Sequence, residues 1–140
     1  MRLHPALAIA LATLATGCIV VDDDRPGGVV NYAPEILDAD AGCYWDSYYY
    51  DDIWYFEAAV DDLDGPRDVE AVWADVYDEW SGDLVESFEL YPTNDPHIWF
   101  SDWLGSSTWL DCMYYDYTVD IVAYDSFDDS DWVTVIPYQE

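Results

Sequence analysis

The stretch Tyr117-Thr118-Val119-Asp120-Ile121-Val122-Ala123-Tyr124-Asp125 carries the clearest secondary-structure signal in the chain. Its apolar residues alternate with polar ones, which is the period of a strand with one buried face. The predicted buried positions are Tyr117, Val119, Ile121 and Ala123. The turn-forming segment 125–131 follows, and Trp132-Val133-Thr134-Val135-Ile136 then alternates again until Pro137. Two such strands joined by a turn predict a β-hairpin.

Further segments of the chain alternate in the same way and are separated by turn formers. Their ranges are 54–60, 69–77, 84–91 and 98–103. In the second of these segments we expect Val72, Ala74 and Val76 to face inward and Trp73 to face the other way. Because short strands recur with turns every 8–12 residues or so, the chain is predicted to be all-β, a sandwich without sustained helix.

Two motifs resemble immunoglobulin-like and fibronectin type III-like domains, and the resemblance covers roughly residues 48–136. One is the turn Val60-Asp61-Asp62-Leu63-Asp64-Gly65, and the other is the strand that begins at Tyr117. The resemblance implies an immunoglobulin-like antiparallel β-sandwich of about seven strands over residues 41–140. It also implies that the Tyr117 hydroxyl bonds back to nearby backbone as a tyrosine corner. The Trp and Cys spacing of antibody domains is absent.

Charge excludes several classes of partner. Among 140 residues, 31 are acidic and only 3 are Lys or Arg. Nucleic acid is excluded because phosphate binding needs many Lys and Arg side chains, and anionic lipid headgroups would be repelled. Two hypotheses explain the acidity, namely solubility of the folded domain and binding of a cation.

The N-terminus predicts an export signal. Residues 1–17 contain one Arg, then an apolar run, then small residues, and the run is too short for a permanent membrane span. The sequence Leu14-Ala15-Thr16-Gly17-Cys18 resembles the lipobox of bacterial lipoproteins. The resemblance implies cleavage before Cys18, lipidation of Cys18 and, because Ile19 follows, anchoring in the outer membrane, on its periplasmic face or at the cell surface. A plain secreted protein with an incidental Cys18 is the alternative.

The predicted export of the chain guides the interpretation of the remaining segments. Residues 18–40 contain an Asp run, Pro and Gly without a sustained period, which predicts a flexible acidic tether. Cys43 and Cys112 are the cysteines left after lipidation, and an exported compartment is oxidising, so we predict one disulfide. Its long loop suggests about 4 kcal/mol of stabilisation. Two free buried thiols are the alternative, and we expect both cysteines at or before the starts of strands.

Calcium is the metal that the sequence favours, because it prefers carboxylate and carbonyl oxygens in loops. Two acidic loops are expected to converge at one end of a sandwich. Their candidate ligands are Asp61, Asp62, Asp64 and Asp68 in one loop, and Asp125, Asp128, Asp129 and Asp131 in the other. The alternative is that both loops use Asp as an ordinary turn former.

Aromatic residues are more numerous than one small core needs, with eight Trp and thirteen Tyr. Exposed rings can stack on a glycan or on a protein partner. Candidate platform residues are Tyr48, Tyr49, Tyr50, Trp73 and Trp99. The alternative is that the rings pack in the core and under loops.

No catalytic constellation is evident, because His97 has no recognisable motif and no second histidine follows the predicted signal. The sequence therefore predicts a non-enzymatic lipoprotein, acting as an interaction or structural module of the cell envelope. A carbohydrate-binding or adhesion module, stabilised by calcium, is the alternative. The expected partners are the membrane through Cys18 and a glycan or another envelope protein.

Overall fold

The computed structural model describes residues 30–139. The predicted signal peptide, the lipidation site at Cys18 and the tether up to residue 29 lie outside the described residues. The strands are β1 Glu35–Asp46, β2 Asp51–Asp61, β3 Val69–Asp78, β4 Leu84–Pro92, β5 Ile98–Leu104, β6 Tyr117–Asp125, β7 Ser130–Val135 and β8 Tyr138–Gln139, with a 3-10 turn at Gly105–Ser107.

The eight strands form one sheet in the order β7-β6-β3-β4-β5-β2-β1-β8. Neighbouring strands are antiparallel except β1 and β8, which are parallel. β4 pairs with β3 along most of its length but with β5 only at Tyr91 and Pro92, so it connects two halves of the sheet. The sheet curls, because Ile36 N of β1 donates to Asp131 Oδ2 of β7 at 2.9 Å although the strands are far apart in the order. The predicted all-β class is confirmed, and the curled sheet is compatible with a sandwich.

The core lies inside this curl. β6 begins and ends where the sequence predicts, and its four predicted inward residues are buried. The ring of Trp54 from β2 meets the ring of Tyr117 from β6 edge to face at 5.9 Å. Phe56 of β2 stacks on Phe88 of β4 at 4.8 Å. Because β2 belongs to one half of the sheet and β6 to the other, the first ring pair joins the two inner faces.

Cys43 and Cys112 form a disulfide, as predicted, with their Cα atoms 5.9 Å apart and both residues buried. The prediction that both lie at or before the starts of strands is wrong for Cys43. It lies well inside β1, while Cys112 lies in the connection between β5 and β6. The bridge therefore joins a strand interior to a loop.

The predicted boundary at residue 41 is also wrong. The compact unit begins at Asn31, and residues 35–40, predicted as tether, belong to β1. Asp, Ala and Gly are depleted in strands, and the register of β1 shifts between Ile36 and Asp38. Such a bulge breaks the period of two that reveals a strand.

Gly42 shows how tightly β1 is enclosed. A Cβ atom at this position would lie 2.7 Å from the carbonyl oxygen of Tyr138 and 2.8 Å from the ring of Tyr55. Only glycine lets β8 and the Tyr55 ring approach the β1 backbone so closely.

Candidate functional site

The loops after β2 and after β6 meet at one end of the sheet. β3 and β6 are antiparallel neighbours, and Val69 at the start of β3 pairs with Asp125 at the end of β6. The β2–β3 loop, which ends at Asp68, therefore lies beside the β6–β7 turn, which begins at Asp125. Ser126 completes the contact, since its N donates to the Asp68 carbonyl at 3.0 Å and its Oγ donates to Asp68 Oδ1 at 2.6 Å.

Three carboxylates converge where these loops meet. Asp62, Asp68 and Asp125 each place an oxygen within 4.8 Å of an oxygen of the other two. Two oxygens on one Ca²⁺ lie at most about 5 Å apart, since each Ca–O distance is about 2.3–2.6 Å. Asp62 is 5% exposed and Asp125 is 1% exposed. The spacing therefore suits a single hard cation held largely out of solvent.

Asp125 is the member of this group whose oxygens receive hydrogen bonds most completely. Its Oδ1 accepts the backbone N–H groups of Phe127 and Asp129, both at 2.8 Å. Its Oδ2 accepts Asn31 Nδ2 at 2.7 Å. These bonds fix the position of the Asp125 carboxylate and close the β6–β7 turn around it.

Asp62 and Asp68 each use only one oxygen in this way. Asp62 Oδ1 accepts the Asp64 backbone N–H at 2.7 Å, and Asp68 Oδ1 accepts the Ser126 hydroxyl. The second oxygen, Oδ2, of each residue is buried and has no hydrogen-bond donor, and the same holds for Asn31 Oδ1. Buried acceptors without donors are rare and costly in folded proteins, so these oxygens are suited to a ligand that accepts electron pairs.

The electrostatics of the three carboxylates also favours a bound cation. Burial raises the pKa of Asp62, and the neighbouring carboxylates of Asp68, Asp64 and Asp125 raise it further. Within residues 30–139, no Arg, Lys or His side chain forms an ion pair with Asp62, Asp68 or Asp125. The described part of the chain thus gathers negative charge at this point without a compensating cation of its own.

The other five acids proposed as calcium ligands have different partners. Asp61 pairs with His97 Nδ1 at 3.4 Å. Asp64 Oδ2 accepts Tyr32 N at 2.8 Å, and Asp129 Oδ2 accepts Asn31 Nδ2 at 2.9 Å. Asp131 accepts the backbone N–H of Ile36, and Asp128 is exposed in the β6–β7 turn. The structure thus gathers three of the eight candidates and uses most of the rest as supports around them.

Asn31 is the residue of this site that sequence reasoning missed. It lies in a segment assigned to the tether, and a lone Asn after a Gly and Val run carries no local signal. Only the fold reveals that the chain before β1 returns to the two acidic loops.

The predicted aromatic platform does not form one surface. Trp99 is 6% exposed and belongs to the core, which contradicts its assignment. Tyr48, Tyr49 and Tyr50 lie in the β1–β2 turn, whereas Trp73 lies in β3, in the other half of the sheet. Trp73 lies between the buried residues Val72 and Ala74 and is only half-buried, so it faces the other side of β3, as predicted.

A second cluster, Cys43, Asp52 and Cys112, also has the spacing of a metal site. Both sulfur atoms are bonded to each other, so neither is available as a thiolate ligand. This cluster is therefore explained by the disulfide.

Between residues 30 and 139 the chain forms no helix with the length and apolar character needed to cross a bilayer. Comparison of the chain with protein-family models, with curated proteins and with solved structures gives no significant match.

Proposed function

We propose that this protein is a calcium-binding module of the cell envelope that acts by binding and not by catalysis. One observation carries the proposal. Asp62 and Asp68 each bury an oxygen that has no donor, beside the buried carboxylate of Asp125. A bound cation would supply the missing partner for both oxygens and offset the repulsion among three negative charges.

The chemistry of the donors favours Ca²⁺ over other metals. The three side chains offer only carboxylate oxygens, which are hard ligands that suit Ca²⁺, Mg²⁺ or Mn²⁺ and not zinc or copper. The ligands come from two loops, which suits the flexible coordination of six to eight oxygens around Ca²⁺. Mg²⁺ demands a near-ideal octahedron and keeps several waters.

The proposed architecture is an immunoglobulin-like sandwich. Its support is the strand order, in which β1, β2 and β5 are neighbours in one half and β3, β6 and β7 are neighbours in the other. The Tyr117 hydroxyl also accepts the Asp111 backbone N–H at 3.2 Å, which is the bond expected of a tyrosine corner.

The proposed location is the bacterial outer membrane, with lipid on Cys18 as the anchor. Its support is the lipobox-like sequence Leu14–Cys18 after a signal-like run. An exported module meets a calcium concentration set outside the cytoplasm, and extracellular modules bind Ca²⁺ with dissociation constants of roughly 10⁻⁴–10⁻³ M.

The proposal of binding without catalysis is supported by the side chains at the site. His97, the one histidine within residues 30–139, pairs with Asp61 at the protein surface. Among the described hydrogen-bond partners of the three site carboxylates, the only nucleophilic side chain is Ser126, and its hydroxyl donates to Asp68. No histidine is among these partners.

The experiment is thermal unfolding of the purified chain with Ca²⁺, with Mg²⁺ and with Na⁺ at matched ionic strength. Because any cation screens a chain this acidic, only a difference between Ca²⁺ and the other two cations counts. At a Ca²⁺ concentration ten times the dissociation constant, mass action stabilises the native state by about 1.4 kcal/mol. We expect the melting temperature to rise by roughly 5 °C in Ca²⁺ beyond the rise in Mg²⁺.

A matched pair of variants locates the effect. Asp62→Asn removes one charge from the site, and Asp46→Asn removes one charge from the β1–β2 turn, where Asp46 Oδ1 accepts Tyr48 N and Tyr49 N. We expect the first variant to weaken calcium binding at least roughly tenfold and the second to leave it unchanged. An equal response to all three cations, or equal responses of both variants, would overturn the proposal.

A further inference from the structure

The segment that precedes β1 is attached to the calcium site through carboxylates. Asn31 Nδ2 donates to Asp125 Oδ2 at 2.7 Å and to Asp129 Oδ2 at 2.9 Å. The backbone N–H of Tyr32 donates to Asp64 Oδ2 at 2.8 Å. Asp64 and Asp129 belong to the two loops that hold the site and Asp125 is the last residue of β6, so this segment, residues 31–32, binds the end of the sheet at which the site lies.

Each of these acceptors lies close to a proposed calcium ligand along the hydrogen-bond network. Asp64 donates its backbone N–H to Asp62 Oδ1, and Asp129 donates its backbone N–H to Asp125 Oδ1. Asn31 contacts Asp125 directly. Any shift of Asp62 or Asp125 must therefore displace the acceptors that hold Asn31 and Tyr32.

A separate hydrogen bond attaches the first strand to β7, the strand that follows the β6–β7 turn. The backbone N–H of Ile36 donates to Asp131 Oδ2 at 2.9 Å. Asp131 lies in β7, on the other side of the β6–β7 turn from Asp125. Asn31 Oδ1 is buried without a donor, and amide oxygens are ordinary ligands of Ca²⁺. The segment that precedes β1 thus places a neutral oxygen, Asn31 Oδ1, beside the three site carboxylates.

We propose that calcium binding by Asp62, Asp68 and Asp125 fastens residues 31–36 to the domain, with Asn31 as the residue that couples the two. The inference rests on the proposed calcium site and adds its consequence. Without a cation, the three carboxylates repel one another and the two loops separate, which withdraws the acceptors from Asn31 and Tyr32. With Ca²⁺ bound, the loops are held together and the acceptors are in place.

This coupling gives calcium control over how the domain is connected to the segment before it. Because linkage is reciprocal, a segment that is fastened must also strengthen calcium binding by the same factor. Residues 31–34 lead directly into β1, so calcium binding would fix the position of the described chain at the start of this strand.

The test is amide hydrogen exchange of the purified chain, read residue by residue by NMR, with Ca²⁺ and with Mg²⁺ at matched ionic strength. We expect protection of the Tyr32 and Ile36 amides to rise roughly tenfold in Ca²⁺. The matched control amides are those of Tyr48 and Tyr49, which also donate to an Asp carboxylate, at the β1–β2 turn. Their protection should not change.

Two variants complete the test. Asn31→Ala should weaken calcium binding by roughly fivefold or more, measured by calorimetry, if the coupling is real. Asp62→Asn should abolish the calcium effect on the Tyr32 and Ile36 amides. Since Asn31 lies outside the core, we expect the Asn31→Ala variant to remain folded, and its near-ultraviolet circular dichroism checks this.

The outcomes separate the two proposals. A calcium-specific rise in melting temperature without a change at Tyr32 and Ile36 would overturn the coupling and leave the calcium site standing. No calcium-specific rise would overturn the site itself. Equal rises in Ca²⁺ and Mg²⁺, both in melting temperature and in protection of the Tyr32 and Ile36 amides, would mean general charge screening and would overturn both.

Discussion

Asp62 and Asp78 lie near opposite ends of β3, Asp62 in the loop before the strand and Asp78 at its last position. Asp78 accepts hydrogen bonds at both oxygens, from Trp80 N and Ser81 N at Oδ1 and from the Tyr114 hydroxyl at Oδ2 at 2.7 Å. Asp62 accepts one bond and leaves a buried oxygen without a donor. Donors from the protein therefore occupy both oxygens of Asp78, whereas Asp62 keeps one buried oxygen that a ligand could occupy.

The pKa values follow this difference. The hydrogen bond from Tyr114 is the main reason why the pKa of Asp78 is lowered, and backbone donors add to it. Burial and neighbouring carboxylates raise the pKa of Asp62. The same residue type therefore has a lowered pKa at one end of β3 and a raised pKa near the other end, because donors surround the Asp78 carboxylate and acceptors surround the Asp62 carboxylate.

The largest effect is expected at Asp125, a site residue that is bonded as fully as Asp78. Asp125→Ala removes the acceptor of Phe127 N, Asp129 N and Asn31 Nδ2 from a buried position. We expect the free energy of unfolding without calcium to fall by about 3 kcal/mol, measured by urea denaturation. Asp83→Ala, at an exposed position, should change it by less than about 0.5 kcal/mol. Equal effects of the two variants would contradict the structural role of Asp125.

A smaller effect on the free energy of unfolding, of opposite sign at Asp62 and Asp78, is expected when each of these residues is replaced by the isosteric Asn. Asp62→Asn replaces a buried acceptor without a donor by an amide group beside two carboxylates, so the calcium-free protein should gain about 1 kcal/mol. Asp78→Asn weakens the bond from Tyr114, so this variant should be less stable than the unmodified protein. Urea denaturation in the presence of a calcium chelator measures both changes. A loss of stability in both variants would show that Asp62 is an ordinary turn former.

The smallest effect concerns titration, which NMR of the side-chain carboxyl groups follows residue by residue in calcium-free buffer. Asp78 should titrate below the ordinary Asp value and Asp62 above it. The contribution of Asp78 to stability is present above its unfolded pKa and is lost as the pH falls through its folded pKa. For Asp62 the sign is reversed, since its contribution is present below its unfolded pKa and is lost as the pH rises through its folded pKa.

Tyr114 supplies the control for that titration. Its hydrogen bond to Asp78 raises the pKa of Tyr114 to about 12. Tyr114→Phe removes this donor, so the pKa of Asp78 should move up toward its ordinary value while the pKa of Asp62 stays where it was. A shift of both carboxyls in the Tyr114→Phe variant would mean a global change and not the loss of one bond.

Much of the sheet follows from local patterns. In β6 and β3 the buried residues recur with a period of two, and the residues predicted to face inward are buried. β1 escapes prediction because its bulge and its Asp, Ala and Gly residues hide the period. β8 is only two residues long and follows Pro137, so it has no pattern to detect.

The candidate site was predictable only in part. Topology indicates that the loops after β2 and β6 meet, because they follow strands that end at the same side of a sandwich. The sequence does not reveal which Asp has donors around it, because that depends on Ser126, Tyr32 and Ile36, which come from distant segments. The same limit explains Asn31, whose role exists only once the chain before β1 has folded back.

The parallel pairing of β1 with β8 has a mechanical consequence. A pull on the two termini would load Gly42 and Cys43 against Tyr138 and Gln139 in shear, so their bonds must break together and not one at a time. Beyond Cys43 the disulfide to Cys112 stops further peeling, because 69 positions are closed into a covalent loop. At about 3.5 Å per residue, that loop withholds roughly 240 Å of chain from extension. Under tension the domain would therefore yield only its outer segments, and the chain between the two cysteines would stay short.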